Sequence, residues 1–263
     1  MEEKRLSKTH LALALAALFL STCCTMGDMV VVPIFSTFYE IFDNVTVINM
    51  ITTGPGMIGV FFCLLGGRLT DIMDKKLLMV IGFALHVVSS VFGCVFVDQY
   101  YIMVCRLVST GVAWGITSSA ALGIIAELYS DEAKRGTVNG WYNSAMAAIG
   151  ALLSFIGGML AVSGWQNAYK TYWITIPVLI MLIVFLPSMP PRKMEKAAAE
   201  KAKGEKGWYK NLIPLLIQVL LVGASYYVIV YMISLYVADA GIGNEAFTGT
   251  LSSIGTITSC VAG

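Results

Sequence analysis

The stretch GRLTDIMDKK, residues 67–76, places five charged side chains between two long apolar runs. The run before it is MITTGPGMIGVFFCLLG, and the run after it is LLMVIGFALHVVSSVFGCVFV. Each run is close to the roughly 20 apolar residues with which a helix crosses a bilayer. The charged decapeptide therefore predicts a short polar turn between two membrane helices.

The composition of the whole chain agrees with this prediction. Apolar residues make up 57% of the chain and charged residues 13%, whereas an ordinary soluble domain is about a quarter charged. This balance excludes a soluble globular domain. The net charge of +1 gives no reason to expect a nucleic-acid partner. The six cysteines lie inside apolar runs without Cys/His spacing typical of a metal site, so no metal and no cofactor are predicted.

Apolar stretches long enough to span a membrane recur along the chain. The predicted fold class is therefore all-α, a polytopic membrane protein. Seven segments and part of an eighth are predicted, at about 10–33, 46–66, 77–97, 100–126, 140–163, 171–189, 212–238 and 246–263.

The basic residues set the orientation. If the N-terminus is cytoplasmic, the inner segments hold all of the 17 Lys and Arg residues except Lys170 and Arg106. Positive charge concentrates on the cytoplasmic side of membrane proteins. The pattern predicts an integral protein of the plasma (inner) membrane with a cytoplasmic N-terminus and the lipid bilayer as its surroundings.

The decapeptide also resembles a family signature. It is similar to G-x-L-x-D-R-x-G-R-R/K, the loop between helices two and three of the major facilitator superfamily. Ile72 and Asp74 depart from that pattern, in place of Arg and Gly. The matching positions are Gly67, Leu69, Asp71, Lys75 and Lys76.

Two further stretches carry the resemblance. Arg106, Gly111 and Gly115 resemble the family's R-x-x-x-G-x-G helix, with the first Gly one position late. Glu127 and the Arg135-Gly136 pair resemble its inner loop between helices four and five.

The resemblance implies a chain built as a six-helix bundle followed by the start of a second bundle. The expected parts are residues 1–189, an N-terminal transmembrane bundle; 190–210, a basic cytoplasmic linker; and 211–263, helix seven and part of helix eight. On this interpretation the sequence is C-terminally truncated. The linker is either a surface helix on anionic headgroups or a solvated connection.

Two charged side chains fall inside the predicted spans, Asp28 and Arg106. Charges in the hydrocarbon usually face a partner or an aqueous cavity. If helix one ends near Pro33, both lie about 8–9 Å below the outer boundary. The resemblance implies that helices one, four and seven line a central cavity. The predicted substrate and proton path comprises Asp28, Arg106, Thr25, Thr110, Tyr227 and Tyr231; the alternative is a static ion pair that holds two helices together.

A cytoplasmic gate is predicted around the decapeptide, where charges of two inner loops meet. The alternative is simple solvation of the loops. The gate residues are Gly67, Asp71, Lys75, Lys76, Glu127 and Arg135.

The predicted function is secondary transport of a small solute by alternating access, driven by protons through symport or antiport. The alternatives are a facilitative uniporter and a non-transporting scaffold or receptor. An enzyme is not predicted, because the polar groups at membrane depth are few: Asp28, Arg106 and His86. His86 is interpreted as either a packed side chain or a proton relay. The chain is expected to act as a monomer.

Overall fold

A computed structural model describes residues 7–92, 95, 97–191 and 208–262, and its regular structure there is entirely helical. The fold class predicted from the sequence, an all-α polytopic membrane fold, is confirmed. The eight apolar stretches form eight helical segments: α1 (residues 8–41), α2 (Val45–Ile72), α3 (Lys75–Phe92), α4 (Gln99–Leu128), α5 (Glu132–Ala161), α6 (Trp165–Phe185), α7 (Trp208–Asp239) and α8 (Glu245–Ala262).

Three of these segments change their winding along their length. In α1 the α-helical pieces Lys8–Leu20, Thr22–Thr25 and Phe35–Ile41 are joined by 3₁₀ turns at Gly27–Val30 and Val32–Ile34. In α4 a π-helical turn, Leu107–Val112, separates Gln99–Arg106 from Ala113–Leu128. In α6 a 3₁₀ stretch, Trp165–Ile174, precedes the α-helix Thr175–Phe185.

Within the described residues, five stretches have the length and apolarity of a membrane span. Their outward surfaces are apolar: the side chain of Leu64 on α2 is 72% exposed, as expected for a face that meets lipid. The five are Lys8–Thr25, Val45–Ile72, Gln99–Leu128, Glu132–Ala161 and Trp165–Phe185.

Two predicted boundaries differ most from the structure, by eight residues each. The first segment does not end near Pro33 but continues to Ile41, because Pro33 stands in the first turn of a short 3₁₀ helix, where its missing N–H costs nothing. The fifth helix begins at Glu132 rather than 140, since Asp131 caps it by accepting a hydrogen bond from the backbone N–H of Lys134 at 3.0 Å.

The packing places α1 and α4 at the centre. α2 and α3 pack against α4, α5 packs against α1, α6 and α8, and the outer part of α1 contacts α7. The α5–α8 contact brings backbones together: a Cβ on Gly158 would lie 2.6 Å from the carbonyl oxygen of Glu245, and one on Gly249 would lie 2.6 Å from that of Ser154. Small residues allow this approach between membrane helices.

The linker and the first residues of the chain bear on two predictions. Most of the predicted linker, residues 192–207, lies outside the described residues, as do residues 1–6. The choice between a surface helix and a solvated connection stays a prediction.

Candidate functional site

The distortion of α1 begins at two hydroxyl side chains. Ser21 Oγ donates to the carbonyl of Leu18 at 2.6 Å, and Thr22 Oγ1 donates to that of Phe19 at 2.7 Å. Such back-bonding competes with the helix ladder and often bends it. The 3₁₀ turns that follow, from Gly27 on, carry Asp28 toward the neighbouring helices.

Gly27 is the point where four helices meet. A Cβ there would lie 2.9 Å from Thr110 Cγ2 and 3.1 Å from His86 Cε1, so no larger residue fits without a shift. The hydroxyl of Tyr172 donates to the carbonyl of Gly27 at 2.7 Å. This bond ties α6 to α1 at the start of the 3₁₀ turns.

The π turn of α4 begins directly after Arg106. A π-helix closes its hydrogen bonds over five residues instead of four, and π turns are frequent at functional sites. Gly111, five residues after Arg106, meets α2, where the carbonyl of Pro55 would lie 3.2 Å from an added Cβ. The one-residue delay of this glycine relative to the family pattern thus falls inside a turn that accommodates one extra residue.

Arg106 and Asp28 form a buried ion pair between α4 and α1. Arg106 Nη2 donates to Asp28 Oδ1 at 2.6 Å, and Arg106 Nε donates to the carbonyl of Ile51 on α2 at 2.7 Å. The side chain of Arg106 is 2% exposed and that of Asp28 is 14% exposed. The guanidinium therefore holds three helices at one level, and the carboxylate keeps a small opening to its surroundings.

The other predicted path residues lie around this pair in different roles. Thr110 Oγ1 donates to the carbonyl of Arg106 at 2.9 Å, so its hydroxyl serves the helix itself. Thr25 is partly buried and forms a hydrogen bond with Tyr142 on α5. Tyr231 on α7 is 5% exposed. The side chain of Tyr227, also on α7, lies outside the described residues.

Sequence reasoning missed the aromatic lining of the pair. The ring of Tyr231 packs edge-on against Phe35 of α1, with centroids 5.7 Å apart. On α6, the hydroxyl of Tyr172 reaches the carbonyl of Gly27, the residue before Asp28, and the ring of Tyr169 lies 5.8 Å from that of Tyr172. The dense aromatic run around Trp165, WQNAYKTYW, was the available signal, because aromatic side chains with polar tips suit a partly wet interior.

At the inner end, two of the predicted gate residues meet. Lys75 Nζ donates to Glu127 Oε1 at 2.6 Å, joining α3 to α4. Across the described part of the chain, Asp71 and Arg135 form no ion pair. Asp71 is exposed and Lys76 is partly buried. Gly67 is exposed as well, and a Cβ there would meet open space.

Asp74, treated in the sequence as a departure from the family pattern, organises this inner turn. Its Oδ1 accepts hydrogen bonds from the backbone N–H groups of Lys76 at 2.8 Å and Leu77 at 3.2 Å, and its Oδ2 accepts from Ser188. Burial raises the pKa of Asp74, but these bonds and one from the Met189 backbone outweigh it, so the pKa lies below its ordinary value. An aspartate directly before a helix start was the signal for this cap.

Taken together, these features define a polytopic helical membrane protein with an ion pair buried at the crossing of its central helices. The Major Facilitator Superfamily profile matches residues 17–263, which is nearly the whole chain. The chain belongs to the major facilitator superfamily.

Individual relatives and a solved structure agree with this assignment. The chain is 31% identical over 121 residues to the uncharacterized MFS-type transporter EfpA of Mycobacterium tuberculosis, covering 46% of this chain and 22% of that protein. It is 28% identical over 116 residues to the methylenomycin A resistance protein of Bacillus subtilis, covering 44% of this chain and 24% of that protein.

The fold is similar to a crystal structure of a bacterial homolog of the human lysosomal transporter Spinster, in an inward-facing and unoccupied conformation. The TM-score is 0.75 at 14% identity, over 97% of this chain and 61% of that chain. In the two curated relatives, by contrast, the matched regions make up only 22% and 24% of the protein, about a quarter of its length or less.

Proposed function

We propose that this protein is a secondary transporter that moves a small solute across the plasma (inner) membrane by alternating access, coupled to protons. The observation that carries this proposal is the buried pair of Asp28 and Arg106, joined at 2.6 Å where α1 and α4 cross. Charged groups at such depth are costly and mark transport pathways more often than they serve stability.

The chemistry of the pair suits coupling. In the resting arrangement the carboxylate of Asp28 and the guanidinium of Arg106 neutralise each other. A proton on Asp28 removes the negative charge and weakens its hold on Arg106, which then becomes available to acceptor oxygens of a solute. The proton and the solute thereby both act on the bond between Asp28 and Arg106. Each would then bind one conformation more tightly than the other, which is what a ligand-driven conformational change requires. Thr25, Thr110, Tyr227 and Tyr231 complete the proposed path.

The inner turn is proposed as the cytoplasmic gate. Lys75 and Glu127 hold α3 to α4 there, and such a latch would hold in one state of the cycle and release in the other. Glu127→Gln removes the partner of Lys75 and should raise the labelling rate of an engineered cytoplasmic-side cysteine, with Asp43→Asn on the outer loop as the matched control. Equal rates in both variants and in the wild type would exclude the latch. Gly67, Asp71, Lys76 and Arg135 belong to the same proposed gate.

The orientation and division of the chain are part of the proposal. Residues 1–189 form the first bundle, 190–210 the cytoplasmic linker and 211–263 the start of the second bundle, with a cytoplasmic N-terminus and a monomeric protein. The excess of basic residues in the inner segments supports this orientation. Reporter fusions after residues 76 and 196 should both report the cytoplasm; reporters on opposite sides would refute the topology.

The direction of transport is proposed to be outward, in exchange for protons. The name of one relative concerns antibiotic resistance, which supports export of a small organic molecule. Inside-out vesicles should take up such a solute when a proton gradient is imposed, and a protonophore should stop them. Uptake that ignores the protonophore would indicate a facilitative uniporter instead.

Liposomes that hold the purified protein test the central claim. Asp28→Asn should lose proton-driven accumulation by at least tenfold, because the carboxyl proton site is gone, while solute exchange without a gradient continues. Arg106→Lys keeps the charge but not the forked geometry and should weaken both activities. Asp43→Asn, an exposed outer carboxylate, is the control. Wild-type accumulation in Asp28→Asn would refute the proposal and leave a static ion pair.

A further inference from the structure

His86 is a buried titratable side chain that the ion pair does not use. It lies in the middle of α3 and is 0% exposed. Its Nδ1 lies 2.8 Å from the carbonyl oxygen of Ser109, in the π turn of α4. A carbonyl only accepts hydrogen bonds, so Nδ1 carries the proton and Nε2 is left with a free lone pair.

That lone pair has no hydrogen-bond partner among the described residues. A buried acceptor without a partner is destabilising, and native structures keep few of them. Arg106 Nη1, one turn outward on α4, is a second buried polar atom without a partner in the same described set. A buried acceptor, His86 Nε2, and a buried donor, Arg106 Nη1, thus both lack a described partner in the region of the ion pair.

The imidazole packs against α1. Its Cε1, which is bonded to Nε2, lies 3.1 Å from the point where Gly27 would carry a Cβ, and Gly27 immediately precedes Asp28. Tyr172 of α6 packs edge-on against the same imidazole, with ring centroids 5.8 Å apart at 81°. The imidazole therefore lies against the stretch of backbone that carries the carboxylate.

The helices packed against this ring carry charged or titratable groups close to their points of contact. α1 carries the carboxylate of Asp28 next to Gly27, α4 carries the guanidinium of Arg106 about one turn before Ser109, and α6 contributes the phenol of Tyr172. While Asp28 and Arg106 are paired, a proton on His86 would add an uncompensated positive charge. Once Arg106 has left a protonated Asp28, passing that proton to Nε2 restores the carboxylate and supplies an imidazolium as its cation.

We propose that His86 is a second proton-binding residue of the path: it takes a proton at Nε2 when Arg106 releases Asp28, and replaces the guanidinium as the counter-cation of that carboxylate. The proton comes from the Asp28 carboxyl, which took it from water on the side to which the site is open, and it leaves to water when Arg106 returns. Neutral imidazole becomes imidazolium as the carboxyl becomes a carboxylate, so the net charge of the three residues is higher by one proton than in the paired state, whichever residue holds that proton. The proposal rests on the proposed transport function, whose proton coupling it deepens.

Nuclear magnetic resonance tests proton binding without any transport assay. The chain has two histidines, so His10→Gln leaves His86 as the only imidazole, observed through ¹³Cε1 in nanodiscs. In that background the signal should stay that of the neutral ring from pH 8 down to pH 5. Adding Arg106→Met should raise the titration midpoint by at least one pH unit, and adding Asp28→Asn as well should abolish the rise. An unchanged midpoint in Arg106→Met would overturn the proposal.

Transport gives the second measurement. His86→Asn places an amide N–H near the position of Nδ1, which keeps the bond to Ser109, but offers no proton site at Nε2. Its pH profile of proton-driven transport should shift by at least one unit from that of the wild type, with little change in melting temperature. A lowered melting temperature with a superimposable pH profile would assign His86 to packing alone. A wild-type protein without proton-driven transport refutes the proposed function, whereas the nuclear magnetic resonance titration still decides proton binding by His86.

Discussion

The stability of the Asp28–Arg106 pair can be measured apart from transport. Asp28→Asn removes the negative charge and leaves the guanidinium of Arg106, 2% exposed, without a counter-ion. Breaking a fully buried pair on one side costs about 3–5 kcal/mol. Because the Asp28 side chain is 14% exposed, we expect the lower end, about 3 kcal/mol. For a chain of this size that is roughly a 6–12 °C fall in melting temperature.

A double-mutant cycle sharpens this expectation. Asp28→Asn combined with Arg106→Met removes both charges and leaves a side chain of similar length, which is often close to neutral for a buried pair. The double variant still gives up the bond from Arg106 Nε to the carbonyl of Ile51, worth about 1 kcal/mol. It should therefore melt above the Asp28→Asn single variant.

The assay is thermal unfolding in detergent at a fixed heating rate, with Asp43→Asn as the exposed-carboxylate control. Two results would refute the reasoning: a melting temperature of Asp28→Asn within about 2 °C of the wild type, which corresponds to less than about 1 kcal/mol, or losses in the double variant equal to the sum of the single ones.

Three further variants test the packing and the inner turn. Gly158→Ala should cost about 1–3 kcal/mol, because its Cβ would lie 2.6 Å from the carbonyl oxygen of Glu245 and push α5 from α8. Tyr172→Phe should cost about 1 kcal/mol, since the bond from its hydroxyl to the carbonyl of Gly27 at 2.7 Å is lost. Asp74→Ala should cost about 1 kcal/mol at pH 7 through loss of the helix cap. That loss should fade on acidification: a lowered pKa means that the carboxylate stabilises the fold above its unfolded value of about 3.9 and ceases to do so as pH falls through the folded value.

Each of these variants has a control in the chain, and melting temperature is the common measurement. The control for Gly158→Ala is Gly140→Ala, which adds a methyl group on α5 where no neighbour lies. The control for Tyr172→Phe is Tyr100→Phe, which removes an exposed hydroxyl. The control for Asp74→Ala is Asp71→Ala, which removes an exposed carboxylate next to the same turn. If the melting temperature of a control variant falls as far as that of its test variant, the corresponding packing argument is contradicted. A pH-independent loss in Asp74→Ala would contradict the role given to its carboxylate.

The apolar pattern was sufficient to predict the helical segments but not their winding. α2 was predicted at 46–66 and spans Val45–Ile72, because hydropathy marks where lipid ends, not where the backbone hydrogen bonds end. Pro33 was taken as a stop, although the first turn of a helix needs no N–H at that position. The π turn after Arg106 had one indication in the sequence: Gly111 stands one position later than the glycine of the family pattern.

The charges of the site were predictable, but its contacts were less so. Asp28 and Arg106 were selected because charge is rare in apolar spans, and the structure joins them. The depth assigned to Asp28 was based on a helix end near Pro33, whereas α1 continues to Ile41, thirteen residues after Asp28. At the inner turn, spacing placed several charges near each other but could not decide which would touch. Side-chain reach made Lys75 and Glu127 the pair, while Asp71 faces solvent.

At the ion pair α1 is wound more tightly than an α-helix and α4 more loosely. This changes which residues share a face along each helix. The 3₁₀ turns tighten α1 to about three residues per turn, while the π turn loosens α4 by one residue, an angular offset of about 100°. A helical wheel drawn through the whole of α4 therefore misplaces its outer part, Gln99–Arg106, by that angle around the helix axis. Accessibility scans along α4 are best plotted as two separate wheels with their phase reset at Arg106.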